Sequence, residues 1–152
     1  MSNGSKKRAV ILLAEDDLGD QKLTKKALSD GRVDNDLHIV QDGEEALDYL
    51  LRRGEYQDPA SSPVPDLFLL DLNMPKIDGR QVLEEMNRNP KCPKVTTVVL
   101  TTSKQEEDIL RSYNLGIKSY IIKPVDFCSF VEAIKLLDRY WFQLVVLPPQ
   151  KA

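Results

Sequence analysis

The stretch Asp66-Leu67-Phe68-Leu69-Leu70-Asp71-Leu72-Asn73-Met74-Pro75-Lys76-Ile77-Asp78-Gly79 decides how the rest of the chain is read. Leu67 to Leu70 are four consecutive apolar residues, the pattern of a strand buried on both faces in a parallel sheet. Met74-Pro75 discourages continuation, and Asp78-Gly79 supplies a turn before the next helical pattern. The strand therefore ends on an acid, Asp71. Open parallel sheets bind ligands outside the carboxyl ends of their strands, so a carboxylate delivered there is a candidate for chemistry.

Upstream, Ala9 to Ala14 reads as a buried first strand that runs into Glu15-Asp16-Asp17. A helix is predicted from about Leu18 to Ser29, with Leu23, Ala27 and Leu28 on one face, ended by Asp30-Gly31. Leu37 to Val40 is a short second strand, and Asp42-Gly43 opens a second helix carrying Ala46, Leu47, Leu50 and Leu51. Gly54 to Pro65, with three prolines and two serines, reads as a loop.

Downstream, a third helix places Val82, Leu83 and Met86 toward the core and stops at Asn89-Pro90 and Cys92-Pro93. Val95 to Leu100 is β-branched enough for a fourth strand, ending on Thr101-Thr102-Ser103. A fourth helix carries Ile109, Leu110 and Tyr113 and is capped by Gly116; Ser119 to Ile122 forms a fifth strand ending on Lys123-Pro124. The last helix, from near Asp126, steps Phe127, Phe130, Ile134, Leu137, Trp141 and Leu144 along one face, with Cys128 toward the core beside Phe127 and Phe130. Five alternating units argue for an α/β three-layer sandwich with a parallel sheet over residues 9–144, between a flexible N-terminus at 1–8 and a tail at 145–152.

Composition agrees with one such domain. The 152 residues are 41% hydrophobic and 30% charged, and the net charge of −3 with a pI near 5.2 offers no electrostatic footprint for nucleic acid. No apolar run reaches membrane-spanning length and no signal peptide is evident, so a cytoplasmic protein is expected. Cys92 and Cys128 have neither metal-ligand nor redox spacing and are expected to be reduced thiols.

The strand ends are informative together. Glu15, Asp16 and Asp17 follow the first strand, Asp71 the third, Thr101 and Thr102 the fourth, and Lys123 the fifth. In a parallel sheet these lie along one edge. Carboxylates gathered there repel unless a cation intervenes. With no His or Cys cluster among them, hard oxygen ligation by Mg2+ or a similar ion suits the set better than zinc. A lysine and a threonine opposite could neutralise and orient a phosphoryl group, and Asp71 could be the nucleophile that forms an aspartyl phosphate.

These residues carry a family resemblance. Glu15-Asp16, the run Asp71 to Gly79, Thr101, and Tyr120-Ile121-Ile122-Lys123-Pro124 occur in order, with 30 positions from Asp71 to Thr101 and 22 from Thr101 to Lys123. From about Lys7 to Leu144 the chain resembles the receiver domain of two-component response regulators. The resemblance implies a flavodoxin-like (βα)5 fold with a five-stranded parallel sheet in the order 2-1-3-4-5. It implies Asp71 as phosphoacceptor, and Mg2+ (or Mn2+) held by Asp16 and Asp71, by Glu15 through water and by the Asn73 carbonyl. It implies Thr101 and Lys123 on the phosphoryl group, Tyr120 as the aromatic coupled to Thr101, and Asn73 and Ser103 as tuners of dephosphorylation. The donor would be a sensor histidine kinase or a phosphotransfer protein. The output would be contacts made by the fourth helix, fifth strand and last helix, with no output domain attached. The Gly54-Glu55-Tyr56 loop, the acidic turn from Lys104 to Asp108, and Trp141 followed by Leu147-Pro148 look like the small single-domain regulators paired with bacterial phytochromes.

Trp141, Phe142, Val145 and Val146 project around more than one side of the last helix and tail, which points to an interface and a homodimer. His38, alone in a predicted strand, is expected to be packed or solvated rather than a ligand. Rival functions fit less well. A phosphohydrolase of this geometry would place a second aspartate two residues after the nucleophile, where Asn73 stands. A flavin binder would want a Ser/Thr/Gly-rich phosphate loop after the first strand, where three acids stand. A degenerate receiver acting as a constitutive interaction module would lack one of the key positions, and all are present.

Overall fold

A computed structural model of the chain describes residues 8–31, 34–102, 105 and 115–135. The elements run β1 (Ala9–Ala14), α1 (Leu18–Asp30), β2 (Asn35–Val40), α2 (Gly43–Leu51), two 3-10 turns (Gly54–Tyr56 and Pro59–Ser61), β3 (Leu67–Asp71), α3 (Gly79–Arg88), β4 (Thr96–Thr101), β5 (Ser119–Ile122) and a last described helix, Phe127–Lys135. The strands form one parallel sheet in the order β2-β1-β3-β4-β5, as expected. The predicted fourth helix lies outside the described residues apart from Gln105, as do Leu137, Trp141 and Leu144.

Side chains alternate across the central strands, and both faces are dry. Ile11, Leu13, Leu67, Leu69, Val98 and Leu100 pack against α1 and the last described helix through Ala27, Leu28, Phe130 and Ile134. Leu12, Ala14, Phe68, Leu70 and Val99 pack against α2 and α3 through Ala46, Leu47, Leu50, Val82 and Leu83. All five residues of β3 are buried, which is what an unbroken apolar run requires of a central strand.

Each of α1, α2 and α3 begins at the end of a strand on an aspartate. Asp17 accepts from Asp20 N at 2.9 Å, Asp42 from Glu45 N at 2.7 Å, and Asp78 from Gln81 N at 3.0 Å in a capping box. A cap of this kind is worth about 1 kcal/mol. Asp17 is thereby committed to the cap of α1.

Two expected core positions are corrected. Leu23 is 37% exposed; the buried stripe of α1 passes instead through Gln21, Thr24, Ala27 and Leu28. Gln21 and Thr24 can be buried because their polar groups are satisfied locally, Gln21 Nε2 donating to Glu15 O at 2.7 Å and Thr24 Oγ1 to Asp20 O at 3.0 Å. Cys128 is exposed rather than core-facing. Two residues span about 200° of helical turn, so the burial of Phe130 turns position 128 away. Phe127, half-buried, covers Gly31, where an added Cβ would meet its ring at 2.3 Å. Strand boundaries also shift: β2 starts two residues earlier than predicted, and β4 runs one residue later and includes Thr101.

The loop between α2 and β3 is tied down by named bonds. Tyr49 OH donates to Pro63 O at 2.7 Å, Tyr56 OH to Glu45 Oε2 at 2.6 Å and Ser62 Oγ to Tyr56 O at 2.9 Å. His38, expected to be packed or solvated, is half-buried beside Tyr49 and within 3.2 Å of Asp36.

The segment joining β3 to α3 presses on the start of α2. A Cβ added to Gly43 would stand 1.8 Å from Ile77 O, and one added to Gly79 would stand 2.7 Å from Asp71 O. Both neighbours are backbone and cannot rotate away. Lys76, at φ 66, reinforces the contact with ion pairs to Asp42 and Glu44 at 3.7 and 3.6 Å. Gly43→Ala is therefore expected to lower the free energy of unfolding by about 1–3 kcal/mol or more, as overpacking does. A urea midpoint unchanged from wild type would show that the β3–α3 segment yields freely.

Candidate functional site

The strand registers bring the predicted residues together. Ala14 pairs with Leu70, Asp71 with Leu100 and Thr101 with Ile122, so Glu15, Asp71, Thr101 and Lys123 arrive at one edge in neighbouring strands. The ladder continues past the strands through Glu15 N to Val40 O at 3.0 Å, Leu72 N to Leu100 O at 3.2 Å and Lys123 N to Thr101 O at 2.9 Å. The strand ends are fixed by backbone bonds, not held by side chains alone.

Lys123 is the hub. Its Nζ lies 2.7 Å from Glu15 Oε1, 2.9 Å from Asp20 Oδ2 and 3.0 Å from Asp71 Oδ2, with the lysine side chain 11% exposed. Burial disfavours the ammonium, but the carboxylates of Glu15, Asp20 and Asp71 outweigh it and hold the lysine above its ordinary range. The group stays charged. Asp71 is buried and accepts on both oxygens, Oδ1 from Asn73 N at 3.0 Å and Oδ2 from Lys123.

Glu15 is fully buried. Its Oε2 accepts from Asp17 N at 3.1 Å, and its Oε1 lies 2.7 Å from the Lys123 ammonium. Desolvation pushes its carboxyl up to about 7; Lys123 opposes that shift and Asp71 adds to it. Glu15, Asp16 and Asp71 each present an oxygen within 4.8 Å of the others, and Asp16 is exposed to solvent. An all-carboxylate set with one solvent-exposed ligand, whose two buried members share a single ammonium with Asp20, fits a hard divalent cation that keeps part of its water.

Thr101 is fully buried at the end of β4, Tyr120 is half-buried against the α2–α3 side of the core, and Asn73 is exposed at the mouth. Ser103 and the predicted interface residues Trp141, Phe142, Val145 and Val146 lie outside the described residues. Asp20 escaped the reading of the sequence. It stands one turn into α1, where an acid is ordinarily explained by the helix dipole. The signal that could have found it is its place in the run Glu15-Asp16-Asp17-Leu18-Gly19-Asp20, a fourth acid beside a strand end.

The Glu15 carboxyl sets a pH dependence. The folded state holds its proton to about pH 7 and an ordinary glutamate to about 4.5, so between those values the folded state binds more protons. Stability of the metal-free protein is expected to fall as pH rises through that window. Glu15→Gln should flatten the fall and raise the urea midpoint at pH 8. An identical pH profile in both proteins would contradict the assignment.

The chain matches the family model described as the response regulator receiver domain over residues 11–147. It is 39% identical over 148 residues to the response regulator Rcp1 of Synechocystis sp., covering 97% of this chain and 99% of that protein. Among solved structures, the bacteriophytochrome response regulator RtBRR superposes with a TM-score of 0.82 at 39% identity, covering 89% of this chain and 81% of that one. The phosphorylated cyanobacterial phytochrome response regulator RcpA gives 0.72 at 38%, covering 94% and 100%. The Mn2+-bound form of Rcp1 gives 0.70 at 39%, covering 93% and 99%. With the sheet order, the acid cluster and the lysine hub in place, the chain belongs to the receiver-domain family of response regulators.

Proposed function

We propose that the protein is a phosphorylation-controlled switch whose acceptor is Asp71. The observation that carries this is the position of its carboxylate, buried at the end of the central strand between the Asn73 N–H and the Lys123 ammonium. An Asp71 oxygen attacks the phosphorus of a phosphohistidine on a sensor kinase or phosphotransfer protein. The new O–P bond forms as the P–N bond breaks, and the departing imidazole takes its proton from solvent. The likeness to RcpA, a cyanobacterial phytochrome response regulator, and to RtBRR, a bacteriophytochrome response regulator, supports a phytochrome-type kinase as donor.

Glu15, Asp16, Asp71 and the Asn73 carbonyl would hold Mg2+ or Mn2+, and the bound ion would neutralise charge on the phosphoryl oxygens; the Mn2+-bound form of Rcp1 supports that assignment. The chain supplies the rest. Lys123 pairs with the transferred group, and Thr101 offers a hydroxyl at the neighbouring strand end. Hydrolysis reverses the change: water attacks phosphorus, the Asp71 O–P bond breaks and inorganic phosphate leaves. By the family resemblance, Asn73 and Ser103 are the residues that would tune that hydrolysis. Engagement of Thr101 and Tyr120 biases the surface of the fifth strand and its flanking helices toward a partner-binding form, a population shift rather than catalysis on a substrate.

Acetyl phosphate with Mg2+ should add one phosphoryl group to the protein, read by intact mass. Asp71→Asn should abolish the gain. Lys123→Ala should slow it by ~10²-fold, the scale of losing one aligned charge at a phosphoryl or oxyanion site. No gain in wild type, or a gain that survives Asp71→Asn, would overturn the proposal.

A further inference from the structure

Three carboxylates share the Lys123 ammonium, but they are not equivalent. Glu15 and Asp71 also belong to the oxygen cluster suited to a divalent cation; Asp20, among the described residues, does not. A cation and an ammonium drawn to the same two carboxylates repel each other and compete for the same charge. Asp20 is the lysine partner that the cation leaves untouched.

The local structure fixes Asp20 for that purpose. Its N–H donates to the Asp17 cap at 2.9 Å and its carbonyl accepts from Thr24 Oγ1 at 3.0 Å, which sets the backbone of the first turn of α1. Its carboxylate then reaches across the mouth of the site to a residue 103 positions away in sequence. The Asp20 side chain is 26% exposed, so it retains some hydration when the lysine moves. An ammonium carries three donors, and those of Lys123 are divided between partners that the cation must use and one that it need not.

We propose that Asp20 is a positioning residue that takes up Lys123 when a divalent cation occupies Glu15, Asp16 and Asp71. Cation entry then redistributes the lysine's contacts instead of expelling the side chain, and the ammonium stays at the site edge where a phosphoryl group arrives. This rests on the reading of the acid cluster given above. The competing explanation is that Asp20 adds negative charge near the cation, as any nearby acid would. The two differ in whether the effect passes through Lys123.

A double-mutant cycle in Mn2+ affinity separates them, with free Mn2+ followed by its paramagnetic resonance signal and folding checked by circular dichroism. Asp20→Asn should weaken Mn2+ binding roughly 3- to 10-fold, a coupling of the size found for contacting pairs. Asp20→Glu, which keeps the charge, should recover most of the loss. Lys123→Ala should tighten binding, and in that background Asp20→Asn should have no further effect. An unchanged affinity in Asp20→Asn, or the same loss with and without Lys123, overturns the inference while leaving the cation site standing. Failure of the wild-type protein to bind Mn2+ overturns the reading of the acid cluster and this inference with it.

Discussion

At the edge of the parallel sheet a single ammonium is surrounded by carboxylates, and the strand ends and the first turn of α1 are arranged about it. Lys123 lies within 3.0 Å of oxygens from Glu15, Asp20 and Asp71, contributed by the ends of β1 and β3 and the start of α1. Without it the buried acids would face one another uncompensated, at the cost that unpaired buried charge carries. One lysine is shared among three carboxylates, and burial holds the Glu15 carboxyl up even with that lysine beside it. The imbalance is useful chemically. In the proposed function the carboxylates take up a divalent cation, and the lysine already present meets the phosphoryl group that follows.

The fold makes this concentration possible because its cost is met elsewhere. Both faces of the central strands are covered by apolar side chains, so the sheet is rigid where it delivers its ends. The ladder continues one residue beyond several strands, and aspartates cap α1, α2 and α3 on the same edge. The β3–α3 segment, which carries Asn73, is pressed onto α2 at Gly43 and tied there by Lys76. Asp71 is therefore held by the sheet ladder and by the backbone of the segment that follows it.

Much of this was legible in the sequence, for physical reasons. Buried parallel strands read as apolar runs, and the polar residue that ends each run marks the functional edge; Asp71, Glu15, Thr101 and Lys123 were found that way. Leu23, Cys128 and Asp20 were not legible. The α1 stripe runs through Gln21 and Thr24, whose burial depends on hydrogen bonds to Glu15 O and Asp20 O that no hydrophobic period reveals. Cys128 follows Phe127, yet the helix is oriented by Phe130, Ala133 and Ile134. Asp20 acquires its partner only when α1 and β5 meet, a contact between distant parts of the chain.

In the proposed function the carboxylate at the end of β3, and no other acid of the cluster, receives the phosphoryl group. Borohydride reduces an aspartyl phosphate to homoserine and so marks the acceptor in the chain. After phosphorylation with acetyl phosphate and Mg2+, reduction and peptide mass spectrometry should place homoserine at position 71. Homoserine at position 16, 17 or 20 would show that another acid is the acceptor.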